Sequence, residues 1–91
     1  MNKTRRNELQ KQANALAELR TQLEDIKSEI ENIRDEEDDC HSNLPDGIQM
    51  SERGDTMQEC IDEMDEQIST LDDIISNLDD VTSGLQEVVD K

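Results

Sequence analysis

Apolar residues recur at steps of three and four along two long stretches of the chain, with a short break between them. In the first stretch they lie at Leu16, Leu19, Leu23, Ile26, Ile30 and Ile33. In the second they form two rows, with Met57, Met64, Leu71, Leu78 and Leu85 in one row and Ile61, Ile68, Ile75 and Val89 in the other. Alternating steps of three and four are the a and d pattern of a coiled coil. The pattern therefore predicts an all-α protein with two long helices.

The break between the stretches contains Pro45, Asp46 and Gly47, which together form a turn signal. Proline sets φ in advance and glycine accepts positive φ, so the chain can reverse its direction there. We predict one helical domain over residues 1–91, with helix 1 at about 4–40, a loop at 41–51 and helix 2 at about 52–89. At the loop end of this domain, we expect Cys40 to pack in the core against Gly54.

The two apolar patterns match each other in a single antiparallel register. The residue numbers of facing partners add to the same value in every layer, as for Leu16 with Leu78 and Ile33 with Ile61. Bases that flank the helix 1 pattern then face acids that flank the helix 2 pattern: Arg20, Lys27 and Arg34 against Asp65, Asp72 and Asp79. Such pairs contribute little stability but select partner and direction. The sequence therefore predicts a two-helix antiparallel coiled-coil hairpin that carries these hairpin ion pairs.

A third apolar row widens the face of helix 2 beyond what one hairpin can cover. We call this row the apolar stripe, and it consists of Cys60, Ile74, Val81 and Val88. Three apolar positions per heptad suit a bundle of three or four helices. We therefore expect two hairpins to dimerise into a four-helix bundle, with a target protein as the alternative occupant of the stripe.

The net charge of the chain indicates which kinds of partner it can bind. The 91 residues include 25 acids, nine bases and no aromatic residue, and their formal net charge is −16. Residues 35–91 alone hold nineteen acids and two bases. A surface of this sign repels nucleic acid and anionic membranes and attracts basic proteins. We expect a basic protein partner, no direct contact with nucleic acid or membrane, and a location in a reducing cytoplasm.

Six acids at seven-residue steps follow the outer side of helix 2. With two neighbours they form the predicted partner-binding acidic ridge: Glu52, Glu59, Asp62, Glu63, Glu66, Asp73, Asp80 and Glu87. Between Glu59 and Asp80 the helix holds nine acids over about 32 Å. That is about one charge per 3.5 Å, against about 3.4 Å along one DNA strand. Phosphate mimicry is one interpretation of the ridge, and a merely solvated outer face is the other.

Residues suited to catalysis or metal binding do not form a recognisable pattern in this chain. We find no nucleophile with a nearby base and no glycine-rich phosphate loop, so we do not expect an enzyme. The acidic tract Asp35–Asp39 lacks the alternating ligands and central glycine of a calcium loop. Two cysteines and one histidine are too few for a zinc site in one protomer. We therefore expect no metal and no cofactor.

The linker between the helices carries a resemblance to a known group of proteins. The segment Asn43–Gly54, which reads NLPDGIQMSERG and is followed by acidic heptads, resembles uncharacterised small acidic proteins of bacterial phages and mobile elements. The similarity covers roughly residues 30–80 and implies a helical hairpin in a phage setting. By analogy, it implies an inhibitor of host defence, such as an anti-CRISPR or anti-restriction protein, that acts in the cytoplasm of a bacterial host cell.

These observations lead to three hypotheses about function. In the first, the protein is a non-enzymatic inhibitor that places its acidic ridge in the basic groove of a nuclease or another nucleic-acid-binding protein. In the second, it is a structural or assembly protein that associates with itself through the apolar stripe. A third hypothesis, an antitoxin-like or chaperone-like binder of a basic partner, cannot be distinguished from the first without the identity of that partner. The sequence leaves all of these open.

Overall fold

Three helices account for nearly the whole chain. The computed structural model describes residues 1–91, with α1 at Lys3–Ser42, α2 at Asp46–Gln49 and α3 at Glu52–Asp90, and it contains no strand. The all-α class predicted from the apolar pattern is confirmed. Both long helices begin and end within two residues of the expected positions. The predicted loop, however, contains the single-turn helix α2, which begins directly after Pro45, where the fixed φ of proline suits a helix start.

The chain divides into two compact units. Unit 1 comprises Met1–Asp25 and Asp72–Lys91, and unit 2 comprises Ile26–Leu71. Each unit places a segment of α1 beside a segment of α3, and unit 2 also contains α2. Each unit has its own buried residues and its own polar contacts, which are described separately below.

In unit 1, polar contacts fix the alignment of the two helix segments. The side-chain amides of Gln10 and Gln86 donate to each other's oxygens, both at 2.9 Å. Further along α1, Arg20 Nε lies 2.9 Å from Asp79 Oδ1. Residue numbers therefore rise along one segment as they fall along the other. Ala13 and Ile75 are the buried apolar residues of this unit.

In unit 2, one buried isoleucine and one arginine make the main contacts between the helix segments. Ile61 is the most buried large side chain of the chain, with 1% of its surface exposed. Arg34 holds Asp65 with two nitrogens, Nε at 2.8 Å from Oδ1 and Nη2 at 3.3 Å from Oδ2. This forked contact suits the planar guanidinium, which can bind both oxygens of one carboxylate.

The connection between the long helices is closed by Gln49. Its side-chain amide donates to the carbonyl oxygens of His41, Ser42 and Leu44, at 3.1, 3.2 and 3.0 Å. The last carbonyls of a helix have no partner within that helix, and the amide of Gln49 supplies one to Ser42, while His41 also accepts from the backbone N–H of Leu44 at 3.2 Å. Gly54 is buried directly against the backbone of Gln49. The expected packing of Cys40 against Gly54 is wrong, because Cys40 is exposed and Gln49 occupies that place.

The second apolar row of α1 (the d positions of its heptads), expected in the core from the sequence, does not lie in the core. It consists of Leu19, Ile26 and Ile33. Leu19 in unit 1 is 45% exposed, and Ile26 and Ile33 in unit 2 are 51% and 55% exposed. In both units α1 instead turns toward α3 its a row and the residues that directly follow the d positions. Ala13 is therefore buried, and Arg20 and Arg34 are half-buried. The long arginine side chains cover this side of the core with their aliphatic stems while keeping their charges hydrated. One helix partner cannot cover both flanks, so the opposite flank of α1 stays open.

Candidate functional site

Unit 2 concentrates the negative charge of the protein. Its 46 residues, Ile26–Leu71, hold fifteen acids and three bases, a formal net charge of −12. Unit 1 holds ten acids and six bases, a net of −4, and the two values sum to the −16 of the whole chain. Acids on both α1 and α3 contribute to the excess in unit 2. A strongly negative field therefore surrounds this unit, and it attracts cations and basic proteins.

Few of the acids in unit 2 have a cationic partner. Lys27 lies 3.4 Å from Glu31, and Arg34 contacts Asp65 at 2.8 Å and both Asp35 and Asp38 at 3.4 Å. Four of the fifteen carboxylates are therefore in ion pairs, which leaves eleven without one. The hydrogen bond that Arg34 donates to Asp65 raises the pKa of Arg34 above its ordinary value, so this guanidinium remains charged.

The ridge residues of unit 2 belong to the group without ion pairs. All are exposed on α3, and they are Glu52, Glu59, Asp62, Glu63 and Glu66. Their only side-chain hydrogen bond within the protein is the one that Gln58 donates to Asp62, at 2.9 Å. The oxygens of an exposed carboxylate without an ion pair can accept hydrogen bonds from a partner. The arrangement can thus bind arginine and lysine side chains, which carry donors in suitable geometry.

Unit 1 separates its acids into paired and unpaired positions in the same way. The ridge residues Asp73, Asp80 and Glu87 are exposed and have no ion pair. Asp79, by contrast, is held by Arg20, which also lies 3.6 Å from Glu24. In unit 1, therefore, Asp79 of α3 is paired with α1, whereas the ridge residues of α3 are not.

The hairpin ion pairs expected from the sequence are placed as follows. The structure brings Arg20 to Asp79 in unit 1 and Arg34 to Asp65 in unit 2. Lys27 is half-buried with Glu31 as a neighbour on its own helix, and Asp72 is exposed on α3. Exposed pairs of this kind contribute at most about 1 kcal/mol each, so their main effect is on alignment.

The apolar stripe is exposed. In unit 1, Ile74, Val81 and Val88 are 47%, 52% and 39% exposed. Helical geometry puts them on roughly the opposite side of α3 from Asp79, and therefore away from the ion pair with Arg20. In unit 2, exposed Cys60 borders a shallow groove of about 700 Å³. The groove is lined by Ile30, Cys60, Glu63, Met64, Glu66 and Gln67.

Two features of the surface were not anticipated from the sequence. The first is the exposed row at Leu19, Ile26 and Ile33, which heptad periodicity assigns to the core and which the structure leaves open. The second is the mutual amide pair of Gln10 and Gln86. Gln86 continues the row of Asp65, Asp72 and Asp79 by one more step of seven, and this spacing could have identified it.

Neither a cluster able to hold a metal ion nor a helix able to cross a membrane is found in the structure. It contains no group of three or more His, Cys, Asp or Glu side chains placed to hold a metal ion. None of its helices combines the length and apolar character needed to cross a membrane. Comparison with protein-family models, with curated proteins and with solved structures finds no match.

Proposed function

We propose that the protein is a non-enzymatic binding module that docks on a basic protein surface through the carboxylates of unit 2. The observation that supports this most is the excess of eleven acids without an ion pair in that unit. Like charges held close together repel and destabilise the folded state. Solubility alone is served by a surface of mixed sign. A partner rich in arginine or lysine relieves this repulsion when it binds, and that gain favours the complex.

In this proposal the partner is a protein that handles nucleic acid, and the module acts by competition. Between Glu59 and Asp80 the ridge holds six carboxylates without an ion pair over about 32 Å of helix, about one per 5 Å, against about one phosphate per 3.4 Å along one DNA strand. A groove that binds phosphates through arginine and lysine then accepts the module and excludes its own substrate. The resemblance of the linker to phage proteins favours a defence nuclease as the target. Action in the cytoplasm of a bacterial cell belongs to the same proposal.

The fold that we propose for this module is an antiparallel hairpin that dimerises into a four-helix bundle. The opposite directions of the residue numbers across the contacts of unit 1 support the hairpin. The exposure of Ile74, Val81 and Val88, at seven-residue steps, supports the dimer. Burial of the exposed half of these side chains contributes about 1 kcal/mol each and favours association.

Removal of two ridge charges tests the proposal. We expect the double variant Glu59→Gln, Asp62→Asn to bind the partner about tenfold more weakly, because each lost charge contact costs up to about 1 kcal/mol. The control Glu18→Gln, Asp25→Asn makes the same chemical changes at exposed, unpaired acids of unit 1 and should leave binding unchanged. Capture from a lysate of the source cell, quantified by mass spectrometry at low and high salt, gives the comparison.

The salt series in this experiment separates charge-driven binding from other modes. Screening shortens the range of electrostatic attraction from about 10 Å at 0.1 M salt to about 3 Å at 1 M. The same partner should therefore be recovered at low salt and lost at high salt. Equal recovery by both double variants at every salt concentration would show that the acidic surface does not carry the binding.

A structural or assembly role is the second candidate, and the exposed apolar stripe is the observation that favours it. In that role self-association is the function, and replacement of Ile74, Val81 and Val88 by glutamine should abolish both assembly and activity. Helix content is expected to stay unchanged, because these side chains are already about half exposed. Sedimentation gives the assembly state and circular dichroism the helix content. If the triple variant still captures the basic partner as a monomer, the structural role is excluded.

A further inference from the structure

The groove of unit 2 opens on the flank of that unit that faces away from its ion pair between the helices. It measures about 700 Å³, with Ile30 of α1 on one side and Cys60 and Met64 of α3 on the other. Helical geometry puts Cys60 about 140° round α3 from Asp65, which is held by Arg34. An occupant can therefore approach the groove without disturbing this ion pair.

Two exposed isoleucines of α1 extend the apolar surface beside the groove. Ile26 and Ile33 are 51% and 55% exposed. They lie four residues before and three residues after Ile30, and helical geometry puts both on the side of Ile30 away from Arg34. The apolar lining of the groove thus continues onto the open flank of α1. A contiguous apolar surface that is left exposed is typical of a protein–protein contact.

Acids border this apolar surface on both helices. Glu63 and Glu66 of α3 line the groove itself. On α1, Glu29 and Glu36 are exposed, and helical geometry puts them beyond the two exposed isoleucines as seen from Ile30. None of these four acids has an ion pair within the protein. An occupant therefore meets negative charge on both sides of the apolar surface.

No base lines the groove to neutralise these acids. Helical geometry puts Lys27 and Arg34 on the flank of the ion pair. Arg53 lies seven residues before Cys60 on α3, about 10 Å along the helix, and does not line the groove. The groove therefore suits an occupant that combines apolar side chains with positive charge, because opposite charges across an interface favour association.

We propose that the groove of unit 2 receives an amphipathic helix of the partner protein, with lysine or arginine on both flanks of its apolar stripe. The inference rests on the proposed function, and it adds the element of the partner that unit 2 recognises. The groove follows α3 from Cys60 to Gln67, which is about 10 Å or two helical turns. Two turns of an amphipathic helix present apolar residues at i, i+3, i+4 and i+7, which suits this length.

A helix fits this groove better than an extended segment does. The walls of the groove come from α1 and α3, whose backbone groups are bonded within their own helices. An extended segment binds by adding a strand to the edge of a sheet, and this protein contains no strand. A third helix instead packs its side chains between those of the first two, as in a helical bundle.

Alkylation of Cys60 shows whether such a helix occupies the groove of the natural chain. The probe is a synthetic peptide of leucine, lysine and alanine, about 14 residues long or roughly 21 Å as a helix, with its leucines in one stripe and lysines on both sides. At about ten times its Kd, it should slow the alkylation of Cys60 about tenfold. Alkylation of Cys40, which is exposed and does not line the groove, should stay unchanged. A scrambled peptide of the same composition and concentration should protect neither cysteine.

Two exposed positions of α1 supply a matched pair of variants. Ile33→Gln changes the apolar surface beside the groove, and Leu19→Gln makes a similar change at an exposed apolar residue of unit 1. We expect Ile33→Gln to weaken binding of the amphipathic peptide about fivefold and Leu19→Gln to leave it unchanged. Fluorescence anisotropy of the labelled peptide gives the affinity, and circular dichroism checks that both variants keep their helix content. Equal affinities for the two variants would overturn the proposed contact.

The outcomes distinguish failure of this inference from failure of the proposed function. If both peptides bind equally well and the double variant Glu63→Gln, Glu66→Gln weakens both, charge alone carries the binding. The helix in the groove is then wrong, and the proposed function stands. If neither peptide binds at low salt, both are wrong. If Cys60 of the free protein becomes protected as protein concentration rises, a second copy covers the groove and the partner helix is wrong.

Discussion

Replacement of Gly54 by alanine is expected to disrupt the connection between the long helices and to destabilise the protein by about 3 kcal/mol or more. A Cβ at this position would lie 2.1 Å from the carbonyl oxygen of Gln49, 2.5 Å from its carbonyl carbon and 2.7 Å from its Cα. All three are backbone atoms, so no side-chain rotation relieves the overlap. The connection must open, and Gln49 would then lose its contacts with the carbonyls of His41, Ser42 and Leu44.

Gly84 provides the matched control for this change, because it is also a glycine within α3. Apart from its chain neighbours and the adjacent backbone of its own helix, no atom lies within 4 Å of a Cβ built at Gly84. Alanine is a better helix former than glycine by about 1 kcal/mol, so Gly84→Ala should stabilise the protein. Urea unfolding followed by circular dichroism gives both values. If Gly54→Ala is as stable as Gly84→Ala, the close packing of α3 on Gln49 is wrong.

Replacement of Ile61 by alanine is expected to cost about 2–5 kcal/mol of unfolding free energy. Ile61 is 1% exposed, and the open surroundings of a two-helix contact contain few side chains that could move into the space it leaves. This loss of unfolding free energy is large for a chain with few buried apolar residues, so the variant should be partly unfolded at room temperature. Thermal unfolding by circular dichroism measures the loss.

Ile33→Ala is the control that decides between two packings of unit 2. Heptad register makes Ile33 the core partner of Ile61, whereas the structure leaves it 55% exposed. In the packing described here, Ile33→Ala should cost less than about 1 kcal/mol in the monomer. Measurement at two protein concentrations separates any contribution from association. Equal losses for Ile61→Ala and Ile33→Ala would favour the symmetric core that the sequence predicts.

The helices and their class follow from the sequence because apolar periodicity is local and strong. The rotation of α1 about its own axis, however, does not follow from the apolar periodicity. The heptad pattern assigns the a row and the d row of α1 equally to the core. A single partner helix, however, cannot bury both rows completely. Small Ala13 and the long stems of Arg20 and Arg34 decide which flank closes. The heptad pattern assigns the d row to the core, whereas the structure exposes it at Leu19, Ile26 and Ile33.

The connection shows a different limit of sequence reasoning. Pro45 and Gly47 identify the break, but the role of Gln49 depends on where three carbonyls of another segment lie in space. Gly54 likewise has no left-handed conformation to explain it, since no residue of the chain has positive φ. Its need for a small side chain comes from a contact with a residue five positions earlier. Such requirements become visible only once the segments are packed.

The composition of the candidate site and the pairs Arg20–Asp79 and Arg34–Asp65 between the helices were predictable from the sequence, whereas the ion pairs within α1 were not. Rows of acids at seven-residue steps can be identified directly in the sequence. Which of them are neutralised depends on the reach of individual bases. Arg34 alone contacts Asp35, Asp38 and Asp65, so three acids share one guanidinium while Glu59 and Glu66 have none.

Competition by DNA for the captured partner tests the central claim most directly. The basic protein recovered at low salt is immobilised, the module is bound to it, and DNA of increasing concentration is added. The account predicts that DNA displaces the module completely, and that the variant Glu59→Gln, Asp62→Asn is displaced at about tenfold lower DNA concentration than the control Glu18→Gln, Asp25→Asn. Retention of the module at saturating DNA, or identical displacement of the two variants, would contradict it.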